Sequence, residues 1–247
     1  MNLTIDIGNS KTKVTIFENN QIINIISNSN NIDFTIKLID EINNHTINSI
    51  IVCSVNNFIP DYILNLKKSA VNFIIFSHKT KIPVKNLYLT PETLGLDRLA
   101  AAIGTFAIYP KKNCLIIDAG TAITYDIINN KGEFIGGSIS PGVLTRYKAL
   151  SYFTNKLPEL EFNENYEYPA KDTKVSIHAG IQLGIIYETE GYIKKLTKQF
   201  SCLNTVVTGG DINFFVKNIK KTIFAQPNLV AIGLNNIIEF NKKVRNK

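Results

Sequence analysis

The chain has 247 residues, of which 45% are apolar, and a formal net charge of +7. This length allows one large or two ordinary domains, each with a core of its own. Its lysines occur singly or in pairs, without a dense basic run or interleaved aromatic residues, so the charge indicates a solvated surface rather than a nucleic-acid-binding patch. A modest attraction for anionic substrates is expected.

The first ten residues lack the apolar region of a signal peptide, and no charge-free run reaches transmembrane length. We therefore expect a soluble, cytoplasmic protein with no membrane partner. The cysteines and histidines are widely scattered, which favours isolated buried thiols over disulfides or a zinc site. No chemical role is assigned to any of them. They are Cys53, Cys114, Cys202, His45, His78 and His178.

The chain opens with a strand, a glycine turn and a second strand. A glycine lets the backbone come close to an anion, and neighbouring N–H groups in such a turn can donate to phosphate oxygens. The turn follows an apolar strand at residues 3–5 and reads Asp6-Ile7-Gly8-Asn9-Ser10-Lys11-Thr12. The predicted order up to residue 76 is βββαβαβ. The elements are strands at 13–17, 22–26, 50–55 and 73–76 and helices at 33–44 and 61–69.

An acidic and a basic residue, Asp97 and Arg98, come just before an apolar helix predicted at 99–108. At a helix N-terminus the pair can act as a cap and a surface salt bridge. Alternatively, the carboxylate can accept the proton of an attacking hydroxyl while the guanidinium holds an anionic substrate. The pattern alone leaves both interpretations open.

The motif of a strand, a glycine turn and a second strand recurs 112 residues later. An apolar strand at 115–117 delivers Asp118 to a turn that contains Gly120 and Thr121, and a second strand follows at 125–128. In the two copies Asp, Gly and Thr coincide. One copy alone would suit an ordinary hairpin, but the duplication predicts an α/β protein of two actin-like (ribonuclease H-like) domains, each a mixed sheet flanked by helices, with a nucleotide in the cleft between them. We expect the domains to span 1–112 and 113–247.

The remaining elements repeat the first half more loosely. A helix at 144–153, a strand at 205–207 and a final helix from about 228 are predicted. Residues 175–196 alternate like a strand at first, but their length favours a helix, with Asp172 or Thr173 as N-cap. The run Val207-Thr208-Gly209-Gly210-Asp211 suits a turn against a nucleoside, or equally a plain strand-to-helix turn capped by Asp211.

Together these motifs resemble the type III pantothenate kinase family, and the resemblance covers nearly the whole chain. Five motifs occur in the family's order, which is hard to match by chance. They are Asp6-Ile7-Gly8-Asn9-Ser10, Gly95-Leu96-Asp97-Arg98, Asp118-Ala119-Gly120-Thr121-Ala122, Gly136-Gly137-Ser138-Ile139-Ser140-Pro141-Gly142 and Thr208-Gly209-Gly210-Asp211.

The resemblance implies a site for ATP with Mg²⁺ or a similar divalent ion near Asp6, and K⁺ or NH₄⁺ bound at Asp118. It implies that Asp97 is the proton acceptor and that the protein is a homodimer. The implied ATP-binding residues are Asp6, Ile7, Gly8, Asn9, Ser10, Lys11, Thr12, Lys13 and Thr121. The implied pantothenate-binding residues are Tyr88, Gly95, Leu96, Asp97, Arg98 and Thr173.

The predicted activity is the phosphorylation of pantothenate to 4'-phosphopantothenate, the first step of coenzyme A synthesis, by direct in-line transfer from ATP. A non-catalytic, nucleotide-binding regulatory relative is one alternative, although the presence of both Asp97 and Arg98 argues against it. A nuclease of the ribonuclease H type would also gather acids around metals, but it would not need paired phosphate turns.

Overall fold

The computed structural model describes residues 1–9, 11–28, 38, 40, 42, 44–55 and 58–245. By its internal contacts the chain forms two units. The first comprises residues 1–111, 128–135 and 228–247, and the second comprises 112–127 and 136–227. The segments 128–135 and 228–247, which the sequence placed in the C-terminal domain, thus group with the first unit.

The described elements are strands and α-helices, with short 3₁₀ helices at Asn65–Ser69 and Pro91–Thr93. The strands are β1 (Asn2–Ile7), β2 (Thr12–Glu18), β3 (Gln21–Asn28), β4 (Ser49–Ser54), β5 (Asn72–Ile75), β6 (Lys85–Asn86), β7 (Asn113–Ala119), β8 (Ala122–Ile128), β9 (Glu133–Pro141), β10 (Leu203–Thr208) and β11 (Phe224–Ala225). The α-helices are α1 (Asp61–Leu64), α2 (Leu96–Ile108), α3 (Val143–Phe153), α4 (Thr173–Gln199), α5 (Ile212–Asn218) and α6 (Leu229–Arg245).

In the first unit the sheet has the strand order β3-β2-β1-β4-β5. Strand β1 pairs antiparallel with β2 and parallel with β4. Alternate residues of these strands, among them Ile5, Val14 and Val52, form the core on one face. The helix predicted at 33–44 falls mostly outside the described residues, although Leu38 and Ile42 are helical and buried in this core.

Helix α6 belongs to the first unit because it packs closely on α2. A Cβ at Gly233 would lie 1.8 Å from the carbonyl oxygen of Ala100, and one at Gly104 would lie 2.3 Å from that of Leu229. The helix is also tied to β1, since the Asn2 amide donates to Asn235 Oδ1 at 2.7 Å and to Glu239 Oε1 at 2.8 Å. Two glycines therefore let the backbones approach, and a polar network holds the C-terminal helix in place.

In the second unit β7 lies between β8 and β10, in the order β11-β10-β7-β8-β9. The core face of this sheet packs against α4, and Ile177, Ile181 and Ile185 of that helix are buried there. The helix interpretation of 175–196 and the capping role of Asp172 are confirmed, since Asp172 Oδ1 accepts a hydrogen bond from the Val175 N–H at 3.0 Å. None of the described helices is both long and apolar enough to cross a bilayer.

We expect Gly233→Ala to lower the free energy of unfolding by roughly 1–3 kcal/mol, the usual cost of overpacking, because the new methyl group would force α6 away from α2. Urea denaturation measures this change. The matched control is Gly191→Ala in α4, where no heavy atom lies within 4 Å of the added Cβ and a small gain in helix stability is expected. Equal stability of Gly233→Ala and the wild type would contradict the close approach.

Candidate functional site

The first glycine turn closes on itself and leaves Asp6 at the end of β1. The Gly8 N–H donates to the Lys11 carbonyl at 3.0 Å, so this amide is used within the turn itself. Asp6 is half-buried and lies directly opposite Lys13 in β2 and Cys53 in β4. Directly opposed residues share a face of the sheet, so the side chains of Lys13 and Cys53 start on either side of the Asp6 side chain. Ser10 lies outside the described residues.

Asp6 and Asp97 both act on the buried thiol of Cys53. Burial raises the pKa of this thiol well above its usual value, and the negative charges of Asp6 and Asp97 raise the pKa further. The structure therefore brings the carboxylate at the end of β1 and the carboxylate at the start of α2 into one region of the first unit. No role was assigned to Cys53 from the sequence, and no sequence pattern indicated this proximity.

Helix α2 begins at Leu96, with Gly95 in the N-cap position. Asp97 Oδ1 accepts a hydrogen bond from the Arg98 N–H at 2.8 Å. A Cβ at Gly95 would lie 2.5 Å from the same oxygen, so the glycine makes room for the carboxylate. Asp97 is thus held by its own helix start in a position that a larger residue at 95 would disturb.

Arg98 is not the surface ion-pair residue of the simpler interpretation. It is only 6% exposed, and its guanidinium carbon lies 5.6 Å from the centre of the Tyr88 ring. That distance is within the range of a cation–π interaction. The ring of Tyr88 in turn packs against Phe134, with 6.3 Å between ring centres. The predicted substrate residues Tyr88, Gly95, Leu96, Asp97 and Arg98 are therefore gathered in the first unit.

The second glycine turn is tighter than the first. The Gly120 N–H donates to the Ala122 carbonyl at 2.9 Å. Gly142 supports the turn, since its N–H donates to the Thr121 carbonyl at 3.0 Å and a Cβ there would lie 1.9 Å from the Gly120 carbonyl oxygen. Thr121 itself is exposed, as a residue that touches a nucleotide needs to be.

The segment Thr208-Gly209-Gly210-Asp211, at the end of β10, contacts the start of the second glycine turn. Gly209 has a φ of +95°, a left-handed conformation that favours glycine, and a Cβ there would lie 2.2 Å from the Ala119 carbonyl oxygen. The Asp211 N–H donates to this oxygen at 3.0 Å, while its side chain makes no capping hydrogen bond to α5. Burial raises the pKa of the Asp211 carboxyl group. The segment is a strand-to-helix turn in which Asp211 occupies the N-cap position of α5 without a side-chain capping hydrogen bond.

Thr173 is the first residue of α4 and belongs to the second unit, whereas the other predicted substrate residues belong to the first. It is exposed and lines a cavity of about 1030 Å³ formed by α3, the start of α4 and the loop before it. Arg146 also lines this cavity and donates to Ser140 Oγ at 2.9 Å and to Glu188 Oε2 at 2.5 Å. Sequence reasoning missed Arg146, which carries no recognisable motif.

A model of the type III pantothenate kinase family matches residues 2–195. The type III pantothenate kinase of Phocaeicola vulgatus is 38% identical over 99% of this chain and 100% of its own length. The chain belongs to the type III pantothenate kinase family.

The solved structures show the fold that members of the type III pantothenate kinase family share with more distant proteins. A putative Baf family transcriptional activator from Campylobacter jejuni superposes with a TM-score of 0.62 at 24% identity, over 98% of this chain and 99% of its own. A ROK family glucokinase from Streptomyces griseus gives 0.54 at 12% identity, over 98% and 99% of the two chains. The predicted α/β fold of two actin-like domains is confirmed.

We expect Gly120→Val to weaken ATP binding, because the added side chain would occupy the space through which phosphate approaches the turn. The protein itself has room for the change, since the nearest heavy atom to a Cβ at residue 120 lies 4.0 Å away. Isothermal titration with ATP measures the effect, and Gly120→Ala should give an intermediate loss. Gly191→Ala is the control for adding a Cβ elsewhere. Wild-type affinity in folded Gly120→Val would make the turn purely structural.

Proposed function

We propose that this protein is a pantothenate kinase, which transfers the γ-phosphoryl group of ATP to the primary hydroxyl group of pantothenate and gives 4'-phosphopantothenate and ADP in the first step of coenzyme A synthesis. The observation that carries this proposal is family membership over nearly the whole chain. The cytoplasm, where ATP is available, is the proposed compartment.

The proposed ATP site uses the first turn, residues 6–13, with Thr121 of the second turn. Lys11 is exposed beside the turn, where an ammonium can pair with phosphate. Nucleoside triphosphates are used with a divalent cation, which neutralises charge on the transferring phosphoryl group. The half-buried carboxylate of Asp6 offers the hard oxygen that Mg²⁺ prefers, so the residues present fit this ion.

The proposed pantothenate site combines Tyr88 with the start of α2. The Arg98 guanidinium supplies a positive charge for the anionic substrate, and its stacking on Tyr88 fixes its orientation. Gly95 and Leu96 lie at the start of α2, next to Arg98 in the chain. Thr173, on the cavity of the second unit, is proposed as a further contact to pantothenate.

In the chemical step Asp97 accepts the proton of the pantothenate hydroxyl group while the oxygen attacks the γ-phosphorus. The bond from this phosphorus to the bridging oxygen of ADP breaks in line with the attack, so no phosphoenzyme forms. Positioning and electrostatic stabilisation dominate catalysis of this kind. The space that Gly95 leaves for the Asp97 carboxylate is a feature that a non-catalytic nucleotide-binding relative would not need.

Asp118 is the proposed ligand of a monovalent cation, K⁺ or NH₄⁺. It lies half-buried at the end of β7, and the hairpin 118–126 contains no lysine or arginine that could balance its charge beside polyphosphate. Hydroxyl groups lie beside it in the sheet, and a carboxylate with neutral oxygens is a donor set that fits such an ion. When bound, the ion would offset negative charge between Asp118 and the phosphates.

We expect Asp97→Asn to lower turnover by roughly 10²- to 10⁴-fold while ATP affinity stays close to that of the wild type, because the substitution keeps the shape of the side chain and removes its basicity. Pantothenate-dependent ADP release measures turnover. Asp61→Asn, in the first turn of α1, is the matched control and should be fully active. Turnover above about a tenth of the wild-type value, with chemistry rate-limiting, would exclude Asp97 as the base.

We further propose that the protein is a homodimer. Helix α3 ends in two large side chains that are strongly exposed, Tyr152 (83%) and Phe153 (80%), and α4 adds exposed Tyr187. Phe153 also lines the cavity that contains Thr173, so a second copy covering this face would lie beside a proposed substrate residue.

We expect Phe153→Asp to shift the protein towards the monomer, because the new charge would be buried on association. Light scattering coupled to size-exclusion chromatography gives the mass, which should approach 27.6 kDa for the variant and twice this value for the wild type. Val71→Asp in the first unit is the matched control, since Val71 is similarly exposed (86%). A wild-type protein that runs as a monomer at micromolar concentration would refute the dimer.

A further inference from the structure

Three strands of the second unit place oxygen-bearing side chains beside one another on the face of the sheet away from its core. On β7 and β8 the core residues alternate as Ile117 and Ala119, and as Ile123 and Tyr125. The residues between them, Asp118 and Thr124, therefore lie on the opposite face. The hydrogen bond from Gly120 to Ala122 sets the register that makes these two residues direct neighbours.

The third oxygen comes from β10. This strand pairs parallel with β7, and Thr208 is the partner of Asp118. Val207 belongs to the core, so Thr208 shares the face of Asp118. Thr208 is only 3% exposed. A carboxylate with a hydroxyl group on each side therefore lies at the end of the three strands. Buried Asp126 lies on the same face of β8, two residues after Thr124.

The Thr124 hydroxyl group is buried and has no hydrogen-bond partner among the described residues. Burying a hydroxyl group in this way is unfavourable unless something else binds it. An oxygen that is buried next to a carboxylate, with lone pairs to spare, can coordinate a cation.

The first unit allows a comparison at the equivalent position. There the end-of-strand carboxylate is Asp6, and the residue opposite it on the neighbouring hairpin strand is Lys13. In the second unit the residue opposite Asp118 is Thr124, so a neutral hydroxyl group stands where the first unit has an ammonium. The duplicated motif thus has a lysine opposite its carboxylate in one copy and a hydroxyl-bearing residue opposite it in the other.

We propose that the hydroxyl oxygens of Thr124 and Thr208 complete, together with the Asp118 carboxylate, the ligand set of the monovalent cation. This inference rests on the proposed function, in which Asp118 binds that ion. Neutral oxygens around a carboxylate suit a weakly hydrated monovalent ion better than Mg²⁺, which keeps its own water and demands octahedral geometry. Thr124 and Thr208 would thereby set affinity for the ion and its selectivity over sodium.

The test is a thallium(I) titration of the full chain with ADP present, followed by thallium NMR, with thallium as the probe for potassium. We expect Thr124→Val to weaken thallium binding about tenfold or more, the scale expected for losing one good ligand. Thr124→Ser should keep near-wild-type affinity, because it retains the hydroxyl group. Thr208→Val is a second variant with the same expected loss.

Thr15→Val is the matched control, since Thr15 is also a strand threonine whose buried hydroxyl group has no partner among the described residues, but it lies in β2 of the first unit. Its thallium affinity should not change. Wild-type affinity in folded Thr124→Val or folded Thr208→Val would overturn the ligand set. A wild-type protein that binds thallium but releases no ADP with pantothenate would refute the proposed function and leave the cation site standing.

Discussion

The structure depends on how it stabilises a carboxylate at the end of a buried strand. A negative charge in that position is costly unless its neighbours in the sheet compensate for it. In the first unit Lys13 lies directly opposite Asp6 in the sheet, so the cross-strand neighbour of this carboxylate is a basic residue. In the second unit the cross-strand neighbours of Asp118 are threonines, Thr124 on β8 and Thr208 on β10. The two copies of the motif therefore differ in the residues that lie opposite the carboxylate, a lysine in one copy and threonines in the other.

Close backbone approach is the second constraint. The second turn is held from two sides, because Gly142 and Gly209 bring β9 and β10 against carbonyl groups of the turn at distances that no side chain would allow. A turn held in this way loses little further entropy when it binds an anion, which is the physical basis of preorganisation. The glycines of the family motifs thus act partly on the turn itself, at positions that need not touch a ligand.

Much of this could be predicted from sequence, because the signals were local. Apolar runs ending in Asp-x-Gly predicted both hairpins, and the length of the segment 175–196 predicted the long helix. The association of α6 with the first unit could not be predicted, since it depends on Gly104 meeting Gly233 across more than a hundred residues. The proximity of Cys53 to Asp6 and Asp97 was hidden for the same reason. Strand pairing and helix packing are long-range, and a periodic pattern does not say which elements will meet.

The alignment of the two hairpins also concealed a difference that matters chemically. Counted along the chain, Thr124 corresponds to Thr12, which points to the core side of β2 opposite Ile7. In the structure the second turn is one residue tighter, so Thr124 lies opposite Asp118 instead. A shift of one residue in register moves a side chain to the other face of a sheet. The threonine of the motif thus lies on the core face in one copy and beside a carboxylate in the other, so equal sequence spacing places chemically different groups at the ends of the two strands.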